Sequence, residues 1–253
     1  MIMDCHTHIA QSQLPNFQHM NMEPEQFASH LSARGIGKAL VFPYDSLFNG
    51  RNYSEANDEL AAFCARVPTM LIPYGSVNPS HGAAALDELT RMIQDLGFKG
   101  IKLHPWIQAF SFLANEYMDP FLQEVRRLHV PIIMHDGTPP YCTPSQYAYQ
   151  AERYPQTTFV LGHAGLKDFW PESMQVALDH KNVMLNLNAT FLGVQHIVQK
   201  LGGDRIVWGS DFPFGGVEVV DYWLGHILQL PVAEEVKDKI LWRNGQVLLE
   251  GGL

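Results

Sequence analysis

Short apolar runs alternate with amphipathic stretches along the whole chain. Eight runs begin near residues 2, 38, 70, 98, 130, 157, 183 and 205: IMDCHTHI, KALVFPY, MLIPYGSV, KGIKLH, VPIIMHD, TFVLGHA, NVMLNLNA and RIVWGSD. They are apolar almost throughout rather than on alternate positions, as expected of parallel strands covered on their outer side. The intervening segments carry helix signals. Ser80 is placed to cap a helix whose stripe is Leu86, Leu89, Ile93 and Leu96, with Gly97 as its left-handed stop. Asp119 and Pro120 open another, with Leu122, Val125 and Leu128 on one face and Pro131 beyond its end. Repeated strand-helix units predict an α/β protein, and eight of them without a Gly-rich phosphate loop favour a closed (β/α)8 TIM barrel over a doubly wound sheet. The 253 residues match the length such a barrel needs, and no linker divides them, so residues 1–253 are read as one domain.

Composition narrows the function classes. With 46% hydrophobic and 17% charged residues, the chain has enough apolar surface to bury a core, which excludes disorder. The formal net charge is −9 and the 17 Lys and Arg are scattered, so the footprint of a nucleic-acid binder is missing and a small-molecule substrate is expected. No apolar run is long enough to span a membrane, and MIMDCHTHIA lacks the basic region of a signal peptide. Cys5, Cys64 and Cys142 are odd in number and widely spaced, which argues against a disulfide framework or a Cys-x-x-Cys zinc site. A cytoplasmic protein without membrane attachment is the expectation.

Candidate chemistry centres on Asp-Cys-His-Thr-His at 4–8. Residues two apart on a strand point to the same side, so His6 and His8 enter the barrel together and form a pincer suited to zinc, iron or manganese. Taken alone, His-x-His is equally a pair of surface histidines. Its weight comes from other metal-competent side chains at the C-terminal ends of separate strands: His135 in IIMHDG, His163 in VLGHAG and Asp211 in WGSDFP. In a barrel those ends converge on one mouth, where such enzymes place their chemistry. Lys102 and His104 share the inward face of strand four, and Asn186 and Asn188 that of strand seven, with His104 and Asn188 nearer the mouth. Each also has a plain reading, His104 as a ring packed under Trp106 and Asn188 as a satisfied strand-end amide. Cys5, between inward residues, is expected to face the helix layer. Trp106, Trp170, Phe212 and Phe214 are candidate pocket walls, and segments 44–58 and 136–149 are candidate active-site loops.

From DCHTH through GFKGIKLHP, IIMHDG and VLGHAG to WGSDFPFG, the chain resembles the amidohydrolase superfamily, and within it the amidohydrolase-related branch that includes aminocarboxymuconate-semialdehyde and resorcylate decarboxylases. The resemblance implies that His6, His8, His135 and Asp211 hold one divalent metal ion, zinc first with manganese or iron as alternatives. It further implies that His163 works beside the ion as a catalytic acid/base, with Asp211 taking part in proton transfer while ligated. Relatives with two metals carry a carbamylated lysine on strand four, where Lys102 falls, but the branch resembled works with one. Lys102, His104 and Asn188 are then candidate substrate-binding residues, and Lys102 with Arg51 suggests a carboxylate-bearing substrate. Barrels of this type often pair as homodimers. Three functions are weighed. The first is hydrolysis of an amide, lactone or ester by metal-activated water. The alternative is a carboxy-lyase acting on an unsaturated or aromatic acid. The third, a catalytically silent barrel, predicts a lost ligand, and none is lost.

Overall fold

Eight parallel strands form the wall: β1 Ile2–Ile9, β2 Ile36–Pro43, β3 Leu71–Pro73, β4 Ile101–Leu103, β5 Ile132–Met134, β6 Phe159–Leu161, β7 Val183–Leu187 and β8 Ile206–Trp208. The computed structural model describes residues 1–10, 20–44, 52–190 and 192–253. Each strand is followed by a helix: α1 Pro24–Ser32, α2 Tyr53–Ala65, α3 Ala83–Gln94, α4 Asn115–Leu128, α5 Pro144–Arg153, α6 Trp170–Asp179, α7 Val194–Leu201 and α8 Val217–Leu228. A terminal unit follows, made of α9 Glu234–Asp238, a π-helical turn Lys239–Arg243 and α10 Asn244–Leu249. The strands hydrogen-bond in chain order as β1-β2-β3 and as β4 to β8. Parallel bridges between Gly75 and Ile101 and between Thr7 and Phe212 join the two sheets at both edges and complete the ring. The expected TIM barrel is therefore the observed architecture. All eight strands fall where the apolar runs place them, within a few residues.

Alternation divides each strand between two environments. Ala39, Val41, Ile101, Leu103, Ile132, Met134, Leu161, Leu185 and Ile206 face the helix layer and belong to the large outer core. Their neighbours Leu40, Phe42, Ile133, Val160, Met184 and Val207 fill the interior with Met3, Cys5 and Tyr74, and Leu248 of α10 packs against them. The Tyr74 hydroxyl donates to the Leu248 carbonyl at 2.7 Å, which satisfies the one polar atom this tyrosine brings inside. Gly245 lets α10 approach: a Cβ there would lie 2.8 Å from Met3 Sδ and 3.1 Å from Cys5 Sγ.

Three local expectations are corrected. Cys5 packs with Met3 in the interior rather than against the helices, because the β1–β2 register shifts between Asp4 and Thr7 and breaks the strict period of two. Ser80 caps no α-helix: its amide and hydroxyl both donate to Asn78 Oδ1, and α3 starts after Gly82. Asn78 wins because it precedes Pro79, which is preset for a first turn. Helix α4 begins at Asn115, with Pro120 inside its second turn. There proline forfeits one intrahelical donor, and Asp119 turns outward to Arg153 and Tyr154. Of the candidate loops, residues 45–51, including Arg51, lie outside the described residues, and α2 is already under way at Tyr53. Among the described residues no helix is long and apolar enough to cross a membrane.

Candidate metal centre

The same inward rows that are apolar at the floor become polar at the C-terminal mouth. His6 lies within the β1 irregularity and His8 just beyond it, with ring centroids 5.2 Å apart. Asp211 follows β8 and has φ +62, a left-handed backbone that aspartate tolerates better than most residues. Its Oδ1 lies 3.2 Å from His8 Nε2 and 3.6 Å from His6 Nε2. Ligand atoms of His6, His8 and Asp211 all fall within 4.8 Å of one another, the arrangement that can hold a metal ion. Two glycines make room for it. A Cβ at Gly209 would approach His6 Cβ to 2.5 Å, and one at Gly162 would lie 2.4 Å from the Met134 carbonyl oxygen and 3.1 Å from His6 Cε1.

Three further histidines surround this group. His163 has its ring centroid 4.9 Å from His6 and 4.6 Å from His135. His135 stacks on His104 at 3.8 Å with an interplanar angle of 11°, so His104 is committed to this neighbour, and Trp106 stands 6.4 Å away. His135 Nε2 is 2.8 Å from the Thr138 hydroxyl. The structure thus gathers His6, His8 and Asp211 into one group able to hold a metal ion, while His135 lies outside that group with its Nε2 on Thr138. Lys102 reaches across from β4 to place Nζ 2.9 Å from His6 Nε2. Asn188, expected to meet substrate, bonds through Oδ1 to His163 Nδ1 instead. With Asn188 accepting, the proton of neutral His163 is on Nδ1 and the lone pair on Nε2.

Electrostatics keeps the imidazoles ligand-competent. Burial, reinforced by Lys102, holds His6 well below the ordinary histidine range, and burial with the neighbouring His163 does the same for His135. Burial also lowers His8 against the pull of Asp211, and pushes His163 down to about 4 and His104 to about 2. All five are neutral at pH 7, each with a lone pair to offer. At Asp211 burial acts upward, but the hydrogen bond from His8 and the nearby Lys102 ammonium oppose it and leave the carboxylate below its ordinary range, so it stays ionised. These donors fit a divalent ion: two buried Nε2 atoms and one anionic oxygen converge, while His6 Nδ1 and His8 Nδ1 find no protein partner among the described residues.

Two buried acids that the sequence reading passed over brace this mouth. Asp4 accepts from the amides of His6 at 3.1 Å and Ser210 at 2.9 Å and from the Ser210 hydroxyl at 2.5 Å, tying β1 to the residue before Asp211. Asp136 accepts from the amides of His163 at 2.6 Å and Gly165 at 2.5 Å and from the Ser173 hydroxyl at 3.2 Å, tying the end of β5 to that of β6. Burial raises Asp4 to about 7 and Asp136 to about 6. Their place inside DCHTH and IIMHDG was the available signal, but only the fold shows what the carboxylates hold.

Above the cluster lies a cavity of about 180 Å³ lined by His8, Lys102, His104, His135, His163 and Asp211 on its polar side, with Tyr44, Ile107, Leu166, Ala189 and Phe214 as apolar walls. Of the aromatic walls proposed from sequence, Phe214 is one and packs 5.1 Å from Tyr44. Phe212 is buried against Phe27 at 5.0 Å, Trp170 packs on His196, and Trp106 edges a separate cavity with Tyr141.

The fold is a TIM barrel whose mouth carries a cluster able to hold a metal ion, the layout of a TIM-barrel enzyme. Residues 3–249 match the family described as Amidohydrolase, and the chain belongs to that family. It is similar to the γ-resorcylate decarboxylase of Rhizobium radiobacter, with 24% identity over 250 residues spanning 77% of this chain and 75% of that one. The crystal structure of 2,6-dihydroxybenzoate decarboxylase from Rhizobium superposes with a TM-score of 0.76 at 19% identity, covering 98% of each chain. That of 5-carboxyvanillate decarboxylase from Novosphingobium aromaticivorans, complexed with manganese and a nitrobenzoic acid, gives 0.78 at 17% identity, covering 99% of this chain and 96% of that one. The expectation of a hydrolase is corrected by these findings, since the relatives with a named reaction cleave a carbon-carbon bond. The ligand set serves either reaction, which is why the motifs alone pointed to the wrong one. Zinc gains no support either, the ion named in the related structures being manganese.

Proposed function

We propose that this chain, as one barrel domain over residues 1–253, is a metal-dependent carboxy-lyase that removes CO2 from an aromatic acid carrying an oxygen substituent beside its carboxylate. The observation that carries the reading is the cavity of about 180 Å³ in which His8 and Asp211 of the candidate metal cluster face apolar walls. A single substituted ring matches that space and chemistry, and the family's named relatives act on such acids. His6, His8 and Asp211, with His135 completing the set from β5, would hold one divalent ion, which we assign as manganese before zinc. When bound, the ion supplies positive charge against which the carboxylate and neighbouring oxygen are neutralised.

The chain's own residues then account for the rest. Tyr44, Ile107, Leu166 and Phe214 hold the ring and exclude water from it. Lys102 and His104 meet the anionic edge of the substrate from β4. Asp211 and His163 are both deprotonated at neutral pH, so either can take the phenolic proton as the substrate binds. As the carbon-carboxylate bond breaks, its electron pair passes to the ring carbon, CO2 leaves, and that carbon receives the stored proton. Asn188 has a positioning role, holding Nδ1 of His163 so that Nε2 is the atom that exchanges the proton.

The test is an assay of manganese-loaded protein against hydroxylated benzoic acids beside a panel of amides, esters and lactones. CO2 release that disappears on chelation, with deuterium from D2O entering the vacated ring position, is the expected result. Turnover of none of the aromatic acids would overturn the reading.

A further inference from the structure

Lys102 is a buried cation with an unusual partner. It is 1% exposed, yet among the described residues it forms no ion pair within 4.0 Å. Its Nζ lies 5.2 Å from the Phe42 ring centroid and 2.9 Å from His6 Nε2, and the charges of Asp211 and Asp136 reach it from beyond ion-pair distance. A buried ammonium with no carboxylate in direct contact is costly to keep. Its placement is explained if it occupies a position meant for another cation. The His6 lone pair that Lys102 engages is the pair His6 must offer to a divalent ion, and one lone pair cannot serve both. The unpartnered His6 Nδ1 fits this picture, because a proton on Nδ1 leaves Nε2 as the acceptor.

We infer that Lys102 is an internal cation that occupies the His6 ligand position in the metal-free protein, must leave it for the divalent ion to load, and then serves as the anchor for a substrate anion. It has somewhere to go. Lys102 is the one Lys or Arg among the described residues lining the cavity, so an ammonium released from His6 stays beside the cluster and faces bound substrate. The metal-free site is thereby kept charge-compensated next to Asp211, weakly held cations are discriminated against, and the lysine is handed from ligand to substrate. The first half concerns metal loading alone, and only the substrate half rests on the proposed carboxy-lyase activity.

The test compares Mn2+ binding by calorimetry and equilibrium dialysis in the chelated full-length wild type, Lys102→Met and Lys102→Arg. Removing a unit charge within a few ångströms of the ion predicts tightening of about tenfold or more in Lys102→Met. Lys102→Arg, which keeps the charge, shows no tightening. If Lys102→Met fails to fold, Lys102→Gln is read in its place. Unchanged or weaker binding in the neutral variant overturns the inference by making Lys102 a bystander or a contributor to the site. So does an intact mass showing a carbamate on Lys102 in the loaded wild type. In the loaded protein, the neutral variant raises KM for 2,6-dihydroxybenzoate by about tenfold with a smaller change in kcat, the size of one lost charge-assisted contact. An unchanged KM overturns the substrate half. If wild type releases no CO2 from any aromatic acid, the proposed function fails while the binding comparison still decides the loading half.

Discussion

The floor and the mouth of the barrel are built from the same strands and differ by a single step of two residues. On β5 the inward residue is Ile133 and then His135; on β7 it is Met184, then Asn186 and Asn188; on β8 it is Val207, then Gly209, with Asp211 beyond. At the floor, Met3, Cys5, Leu40, Phe42, Tyr74, Ile133, Val160, Met184, Val207 and Leu248 are all at most 1% exposed and nearly all apolar. At the mouth, His6, Asn186, Asn188, Asp4 and Asp136 are as buried as the floor, while His135 and Asp211 are partly exposed. Depth alone therefore does not separate the two regions; what separates them is whether a buried group is paid for by packing or by hydrogen bonds and a bound ligand. The floor supplies stability, and the mouth draws on it.

Substitutions should break that division in graded ways. Asp211→Asn or His6→Ala should lower kcat/KM by about a thousandfold or more and abolish tight Mn2+ binding, while the chelated protein melts within a few degrees of wild type. Parallel loss of metal-free stability would show that the mouth supports the fold. Ile133→Ala should do the reverse, costing about 2–5 kcal/mol in urea unfolding with Mn2+ affinity unchanged. Asp136→Asn sits between them, because its carboxylate holds the backbone of His163: about tenfold to a hundredfold in activity and about 2 kcal/mol in stability are expected. An effect on only one of the two measurements would place Asp136 wholly in one region.

The pH dependence of metal-free stability sharpens the contrast. A histidine depressed in the folded state, as His163 is to about 4, takes its proton first in the unfolded chain, so stability is lost as pH falls from about 6.5 toward the folded value. Asp4 and Asp136, raised to about 7 and about 6, oppose this: between pH 4 and those values they favour the folded state more as pH falls. Five depressed histidines outnumber two raised acids, so chelated protein should lose stability as pH falls from about 7 to about 5. His163→Gln should flatten that slope, whereas Ile133→Ala should lower the whole curve without changing it. The smallest effect belongs outside both regions. Arg66, paired at the surface with Glu23 and Glu25 at 2.7 Å, should show no resolvable change in melting temperature when replaced by alanine.

Much of this molecule is legible in the chain as written. Eight apolar runs at regular spacing specify the strands, and a period of two pairs His6 with His8 and Lys102 with His104, because side-chain direction along a strand is a local property of the backbone. Strand-end positions then put His135, His163 and Asp211 at one mouth. Tertiary structure decided what each side chain does there. The irregularity in β1 admits Cys5 to the interior; Asn188 turns to His163, and His104 to His135; Asp4 and Asp136 join strands that are distant in sequence; and Lys102 finds His6 across the barrel. Which donor meets which acceptor depends on neighbours delivered from other strands and on the space left by Gly162 and Gly209, and no local pattern encodes that. The reaction lay further still from the sequence, since one set of ligands can activate water or bind a carboxylate, and the walls around the ligands exist only once the barrel has closed.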